Sequence, residues 1–441
     1  MKRARSPSHS TDSTKLLKKS SVLKSSSATT AAITTATTAI TTTTATTVTT
    51  TVTTTNDSDN TQDHHSSQVA VIIPVHNAAE YLAETLASII AQTYPHENIS
   101  VHICDDASTD ATADMLQEWS IKFANNNIQC VLSTTYAPTT STPTPTATAT
   151  ATATATSSST QSFISRATGA GNAKNIAVST SSAQWLCFLD ADDIMFPRRI
   201  EKQHALAMSY PYEARPRLLI GSGFVRFPND STQFYTKWCN ELKKDELTLQ
   251  QYREVTVIQP TWFLARAAFD AVGGYELQPT QGTTTPIPSD LIFFQAHFDH
   301  NGLVDRVEIP LVMYRYLENS VSWKISRKDL LRVRLRALER RVLSCWNHFT
   351  IWGAGRDGKT VINELNKEYM IKCVGFCDVD ENKIKRGYHN PRKGIQLPVI
   401  HFRDVKPPLL ICVAMGRTGG ELEKNIASLG LKEGVDYWHV I

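Results

Sequence analysis

Apolar positions along this chain switch between two periods, and the pattern begins abruptly at residue 69. Val69-Ala70-Val71-Ile72-Ile73-Pro74-Val75 is a nearly continuous β-branched run, as expected of a strand covered on both faces. Behind it, Leu82, Leu86, Ile89 and Ile90 recur at helical spacing, and Asn77 is placed to cap that helix. A second apolar run over 99–104 ends in Asp105-Asp106-Ala107-Ser108-Thr109-Asp110, after which Met115, Leu116, Trp119 and Phe123 mark a second helix. A third strand is predicted over 128–132. A fourth, ending in Phe188-Leu189, runs into Asp190-Ala191-Asp192-Asp193. Strands and helices in alternation predict an α/β fold with polar residues at the carboxyl ends of the strands, where ligands bind in open sheets.

The pattern restarts near residue 348. Phe349-Thr350-Ile351-Trp352 leads into Gly353-Ala354-Gly355-Arg356-Asp357-Gly358 and a helix start, and the next strand ends at Asp378. This predicts a small Rossmann-like α/β domain. The glycine spacing and Asp378 fit a dinucleotide fingerprint loosely, and the unit is short for a full dinucleotide fold. The expected organisation is a tail over 1–67, a first domain over 68–320, a basic linker helix over 321–347 and a second domain over 348–441.

Composition changes this picture in two places. Residues 1–67 are rich in Ser, Thr and Ala, with Lys/Arg clusters at 2–5 and 15–19, and cannot bury a core. They read as a disordered tail; the basic clusters also allow a nuclear signal or a transit peptide. A Thr/Ala/Pro-rich stretch over 133–162 interrupts the first domain and reads as a surface insertion, tolerable because long loops cost little extra closure entropy. No 7–15-residue apolar run follows the basic start, and no stretch of about 20 apolar residues is long enough to span a bilayer. A cytoplasmic protein with no membrane partner is expected, with a nuclear or mitochondrial pool left open. Cys104, Cys130, Cys187, Cys373, Cys377 and Cys412 fall in predicted strands or at their ends without a Cys-x-x-Cys pair. Buried reduced thiols without a disulfide partner are expected.

The net charge of +3 decides no partner, but its distribution is uneven. Lys324, Arg327, Lys328, Arg332, Arg334, Arg336, Arg340 and Arg341 crowd one predicted helix, opposed only by Asp329 and Glu339. A solvated basic face and a surface for RNA phosphates are both open readings.

The sharpest chemistry lies at 190–193. Residues two apart on an extended chain point the same way, so Asp190 and Asp192 aim together beyond the strand end. Two such carboxylates repel unless a cation lies between them, and a hard divalent ion, Mn or Mg, suits an all-oxygen donor set.

Four motifs in order carry a resemblance: Ile72-Ile73-Pro74-Val75-His76-Asn77, the 105–110 acidic turn, Gly171-Asn172-Ala173-Lys174-Asn175 and Asp190-Ala191-Asp192-Asp193. The chain resembles the family 2 nucleotide-sugar glycosyltransferases of GT-A fold. Pro260-Thr261-Trp262-Phe263, Asp290-Leu291-Ile292-Phe293-Phe294, Tyr314-Arg315-Tyr316 and the motifs at 349–352, 376–384, 410–413 and 418–420 are similar to one branch of that family, the queuosine-tRNA galactosyltransferases. The resemblance implies transfer of galactose from UDP-galactose to queuosine in the anticodon of a tyrosine tRNA, with inversion and with a divalent cation. It assigns Asp192 to the metal, Asp190 to the metal and ribose, Asp106 to the uracil ring, Pro74 and His76 to the mouth of the base site, and Lys174 to the phosphates. Asp290 stands where the family places its general base. Trp262 is open to two readings, stacking on the acceptor base and ordinary core, and Arg315, Lys328, Arg332 and Arg336 are assigned to acceptor RNA. The second domain is then expected to position the tRNA or to complete the fold. Two residues depart from the family pattern: Ser289 replaces the usual Glu before Asp290, and Leu317 stands where relatives often carry His. A family 2 enzyme with a non-RNA acceptor, and an inactive nucleotide- or RNA-binding homologue, are the alternatives.

Overall fold

The computed structural model describes residues 68–135, 167–277, 286–318, 320, 324–414 and 416–441. The expectations for the tail over 1–67, for most of the 133–162 insertion and for residues 163–166 lie outside the described residues.

Eight strands form the first sheet: β1 (Val69–Val75), β2 (Ile99–Asp105), β3 (Gln129–Thr134), β4 (Trp185–Phe188), β5 (Ile194–Met195), β6 (Leu218–Phe227), β7 (Phe263–Ala265) and β8 (Leu303–Arg315). Their order is β3-β2-β1-β4-β7-β6-β8-β5. All seven residues of β1 are buried, as its unbroken apolar run requires of a central parallel strand. β1 pairs in parallel with both β2 and β4. The chain therefore walks outward from β1 to β3 and returns on the other side at β4. Where strand order reverses in this way, the carboxyl ends of the two central strands part and leave a crevice. β7 runs antiparallel to β4 and β6. This is the GT-A type arrangement expected above.

The first helix begins later than expected, at Leu82, and ends at Ile90. Asn77 does not cap it. Its backbone is left-handed (φ 48°), and its side-chain oxygen accepts from the Thr109 N–H at 2.7 Å. Asn and Asp tolerate this conformation because their short polar side chains bond locally. Asp110 likewise accepts from the Ala79 N–H at 3.2 Å, so the turns after β1 and β2 are laced together.

The second sheet has five parallel strands: β9 (Phe349–Trp352), β10 (Cys373–Asp378), β13 (Val399–His401), β14 (Leu409–Ile411) and β15 (Tyr437–His439). A two-stranded hairpin of β11 (Tyr388–Asn390) and β12 (Ile395–Leu397) stands beside it. The order is β13-β10-β9-β14-β15, a Rossmann-like winding. The helix Arg327–Leu338, expected as a linker, is a packed element. Leu331, Leu335 and Leu338 sit in one apolar cluster with Phe349 and Ile351. The two sheets are joined through the same region. Gln250 donates to Glu433 at 2.8 Å, and Tyr252 stacks edge-on against Trp438.

All eight cysteines are free thiols. No helix among the described residues is long and apolar enough to cross a membrane.

Trp262 lies in the first core at 0% exposure, against Phe293 and Phe294. Its indole N–H donates to the Val257 carbonyl at 2.9 Å. It is a core side chain in this structure, which corrects the reading of acceptor stacking. Truncating so large a buried ring leaves a cavity the neighbours fill only in part. Trp262→Ala is expected to cost roughly 3–5 kcal/mol in denaturant unfolding. A loss under about 1 kcal/mol would show that this core is loosely packed.

Candidate active site

The acidic turn sits where strand order reverses. Leu189 still bonds Ile72, and the chain then turns, with the Asp193 N–H donating to the Asp190 carbonyl at 3.2 Å. The Thr85 hydroxyl fixes the turn from behind by donating to the Ala191 carbonyl at 2.8 Å. Cations reach the turn from several parts of the chain. Lys174, on the helix Ala170–Ser179, is 6% exposed, with Nζ 2.9 Å from Asp190 Oδ1. Arg315 closes β8 beside it: its backbone N–H donates to Asp193 Oδ1 at 2.8 Å and its Nε to the Asp192 carbonyl at 2.9 Å. Its terminal nitrogen pairs with Glu84 at 2.7 Å. Arg199, wholly buried, donates to the Phe188 carbonyl at 2.7 Å and to Gln203 at 3.1 Å.

These contacts leave the turn with unbalanced negative charge. Burial, and then repulsion from Asp190, push the Asp192 carboxyl up to about 6. Asp193 is 0% exposed and is raised well above the carboxylate range by burial and by Asp192 and Asp190; its Oδ2 has no donor. Among the described residues no group of three or more His, Cys, Asp or Glu is arranged to hold a metal. The site thus offers two carboxylates, Asp190 and Asp192, as an all-oxygen partial donor set. That set fits a hard divalent cation whose remaining ligands come from a diphosphate and water.

Asp290 lies in the first turn of the helix Ser289–Asp299. Its Oδ1 accepts from the Leu291 N–H at 2.8 Å. Burial raises its carboxyl above the usual range, against the pull of Lys174, while Glu254 and Asp190 add to the rise. The charge of Lys174 thus acts on both acidic groups. Its Nζ also lies 5.7 Å from the centroid of the Tyr275 ring. Gly171 makes the approach possible, because a Cβ there would lie 3.3 Å from Tyr275 Cβ and 3.5 Å from Ser289 Cβ.

Other expected residues are placed differently. Asp106 is 3% exposed, and its Oδ1 accepts from Thr135 Oγ1 and from the Thr168 N–H and hydroxyl, and its Oδ2 from the Gly169 N–H at 2.7 Å. Both oxygens of Asp106 thus pin the chain before the Lys174 helix, and these contacts compete with its expected assignment to a uracil ring. Pro74 is buried in β1. His76 is exposed beside it, with Nδ1 2.6 Å from the Asp106 carbonyl. Arg315 faces the acidic turn rather than an acceptor surface. Lys328 and Arg332 both pair with Glu364, at 2.9 and 2.8 Å, and Arg336 pairs with Glu339. Their charge is shared with carboxylates, so the helix does not present a bare basic face.

Sequence reasoning missed Asp193, Arg199, Glu84 and Tyr275. The third Asp of the run was visible but carried no spacing signal. A buried Arg at a helix start reads like any surface Arg.

Residues 70–134 and 163–273 match the family described as Glycosyl transferase family 2, and the break between the two segments coincides with the low-complexity insertion. The chain is 26% identical over 135 residues to UDP-Glc:alpha-D-GlcNAc-diphosphoundecaprenol beta-1,3-glucosyltransferase WfaP of Escherichia coli. That stretch is 31% of this chain and 39% of the relative. It is 24% identical over 126 residues to the poly(ribitol-phosphate) beta-glucosyltransferase of Bacillus spizizenii, 29% of this chain and 15% of that protein. The chain thus spans less than half the length of these relatives. Among solved structures, S. aureus TarS in complex with UDP-GlcNAc superposes with a TM-score of 0.44 at 14% identity, over 62% of this chain and 66% of that one. Residues 70–134 and 163–273 are accordingly similar to glycosyl transferase family 2 domains, and the first sheet has a GT-A type arrangement.

Proposed function

We propose that this chain is an inverting glycosyltransferase that moves galactose from UDP-galactose to queuosine in a tRNA. One observation carries the catalytic part of this reading: the buried Lys174 lies 2.9 Å from Asp190 at the acidic turn, and its charge also acts on the buried carboxyl of Asp290. A diphosphate needs positive charge, and an attacking hydroxyl needs a base on the far side of the sugar. The motifs at 349–352, 376–384 and 410–420 support the tRNA acceptor, since generic family 2 enzymes lack them.

Asp190 and Asp192 would hold a divalent cation, which supplies Lewis-acid stabilisation of the leaving diphosphate. Lys174 adds a fixed charge at that pole, and the amino end of its helix adds a favourable dipole. Asp290 takes the proton of the acceptor hydroxyl as that oxygen forms its bond to the anomeric carbon. The bond from that carbon to the phosphate oxygen breaks on the opposite face, and the departing UDP keeps the electron pair. Arg315 and Thr85 hold the turn still, so the geometry is in place before the substrate arrives.

The direct test is incubation of the full chain with UDP-galactose and queuosine-containing tRNA, followed by nucleoside mass analysis. A gain of one hexose on queuosine is expected. No transfer from any nucleotide sugar to any tRNA would end the proposal, and transfer to a small molecule without RNA would replace the acceptor.

Asp290→Asn removes the base and leaves the carboxylates of the turn intact. Turnover should fall by roughly 10²–10⁴-fold, with donor affinity unchanged. Parental turnover would remove Asp290 from the mechanism.

The Asp192 carboxyl titrates near 6 in the folded chain, against 3.8 ordinarily. The native state therefore binds this proton more tightly than the unfolded state. The stabilising contribution is complete below about pH 4 and is lost as pH rises through about 6. In EDTA, Asp192→Asn should exceed the parent by roughly 2–3 kcal/mol at pH 7.5 and match it near pH 4. Equal stability across that window would show that the turn's repulsion is already neutralised by other groups.

A further inference from the structure

The second sheet has its own reversal of strand order. From β9 the chain moves outward through β10 to β13, then crosses back to β14 and β15. A cleft of about 190 Å³ opens at the carboxyl ends of these strands, lined among others by Trp352, Gly353, Gly355, Asp378, Arg417 and Leu422. It lies in a different sheet from the acidic turn, and nothing in the transfer reaction uses it.

Three glycines edge or support this cleft, and they differ in what requires them. Gly353 has φ +108°, and a Cβ there would lie 2.8 Å from the Cys412 carbonyl. Gly358 is forced by packing, since a Cβ would lie 2.0 Å from the Gly353 carbonyl oxygen. Gly355 is required by neither. Its φ of −85° and ψ of −163° suit any residue, and a Cβ would meet nothing within 4 Å. A side chain at Gly355 would instead occupy the cleft. Its absence leaves open the space in front of the first turn of the helix Arg356–Glu364, whose free N–H groups and dipole favour an anion.

Two of the three acidic residues that line the cleft, Asp357 and Asp378, are already partnered. Asp378 Oδ2 accepts from the Ala354 N–H at 2.9 Å and from Lys383 at 3.0 Å, and its Oδ1 accepts from the Val379 and Asp380 N–H groups at 2.9 and 3.1 Å. Asp357 pairs with Arg417 at 2.8 Å. Glu421, exposed at the rim, has no such partner among the described residues and opposes a phosphate, so the attraction comes from the first turn of the helix. By the same count Asp378 has no lone pair left for a ribose diol, which corrects the ribose role its position in the sequence implied. Trp352 and Leu422 supply an apolar wall for a flat ring.

We propose that this cleft is a second ligand site, taking a nucleoside phosphate by its phosphate group at Gly355 and leaving the ribose hydroxyls unread. The test is calorimetric titration of the full chain in EDTA with ADP, 2′-deoxy-ADP and adenosine. ADP and its deoxy analogue should bind within twofold of each other, and adenosine at least tenfold more weakly. Gly355→Val, whose backbone is accessible to valine, should weaken ADP at least tenfold, whereas Asp192→Asn should leave it unchanged. If Gly355→Val does not fold, hydrogen exchange in the parent replaces it, with amides 354–358 expected to slow on adding ADP. No binding of ADP at millimolar concentration would overturn the proposal. So would tenfold discrimination against the deoxy form, adenosine binding as tightly as ADP, loss of binding in Asp192→Asn, or ADP-insensitive amides at 354–358.

Discussion

Everything at the first crevice follows from the repulsion among three carboxylates packed into four residues at the end of β4. A chain cannot bury such a turn without cations close by. This one gathers them from well-separated segments: Lys174 from the helix after the insertion, Arg199 from the helix that follows the turn, and Arg315 from the end of β8. Arg199 touches carbonyls rather than carboxylates, so it acts through its field and by fixing the strand end. Lys174 pairs its side chain with Asp190 directly, and its charge also acts on Asp290. Even so, Asp192 and Asp193 remain raised. Evolution for stability alone would remove one of the three. Keeping them stores a local preference for a further positive charge.

A second economy of charge concerns the basic helix. Surface ion pairs contribute little stability each, but they change what a helix offers to a partner. Glu364 draws in both Lys328 and Arg332, and Asp299 draws in Arg340 and Arg341. An RNA phosphate at this face would have to compete with those carboxylates. Arg334 is further removed, being 7% exposed and bonded to the Arg253 carbonyl. The helix is better understood as the joint between the two sheets than as a docking strip, with its apolar stripe in one core and its cations bridging to the other.

The fold was legible because its signals are local. Unbroken β-branched runs, helical spacing and acidic turns are written in consecutive residues, and both sheets follow from them. The acidic turn and Asp290 were legible for the same reason. What escaped depends on contacts between distant parts of the chain. Asp106 is given a ligand role by the family resemblance, yet the structure places Thr168 and Gly169 against it, 62 and 63 residues away. Trp262 sits in a motif that resembles an acceptor wall, yet its indole N–H finds a carbonyl five residues upstream and its ring finds the helix carrying Asp290. Asn77 offers a good capping side chain, but the stronger demand came from Thr109 on the neighbouring turn. In each case at least one deciding partner lies far along the chain: Thr168 for Asp106, Phe293 for the Trp262 ring and Thr109 for Asn77.

The Ser289 departure can now be weighed physically. A Glu beside Asp290 would raise its pKa by repulsion, and its loss suggests a weaker base. The structure offers another source for the same shift: enclosure of the carboxyl comes first, and Glu254 and Asp190 add to it. Lys174 pulls the other way. Burial and repulsion differ in one respect. Repulsion from a neighbouring carboxylate is screened by salt, whereas desolvation of an enclosed group is not. A base raised mainly by its walls keeps its strength when ionic strength changes, and it also excludes competing water from the hydroxyl it activates. On this argument Ser289 is no sign of a lost active site. If Asp290 is the base, as proposed, burial supplies the rise that an adjacent Glu would otherwise give.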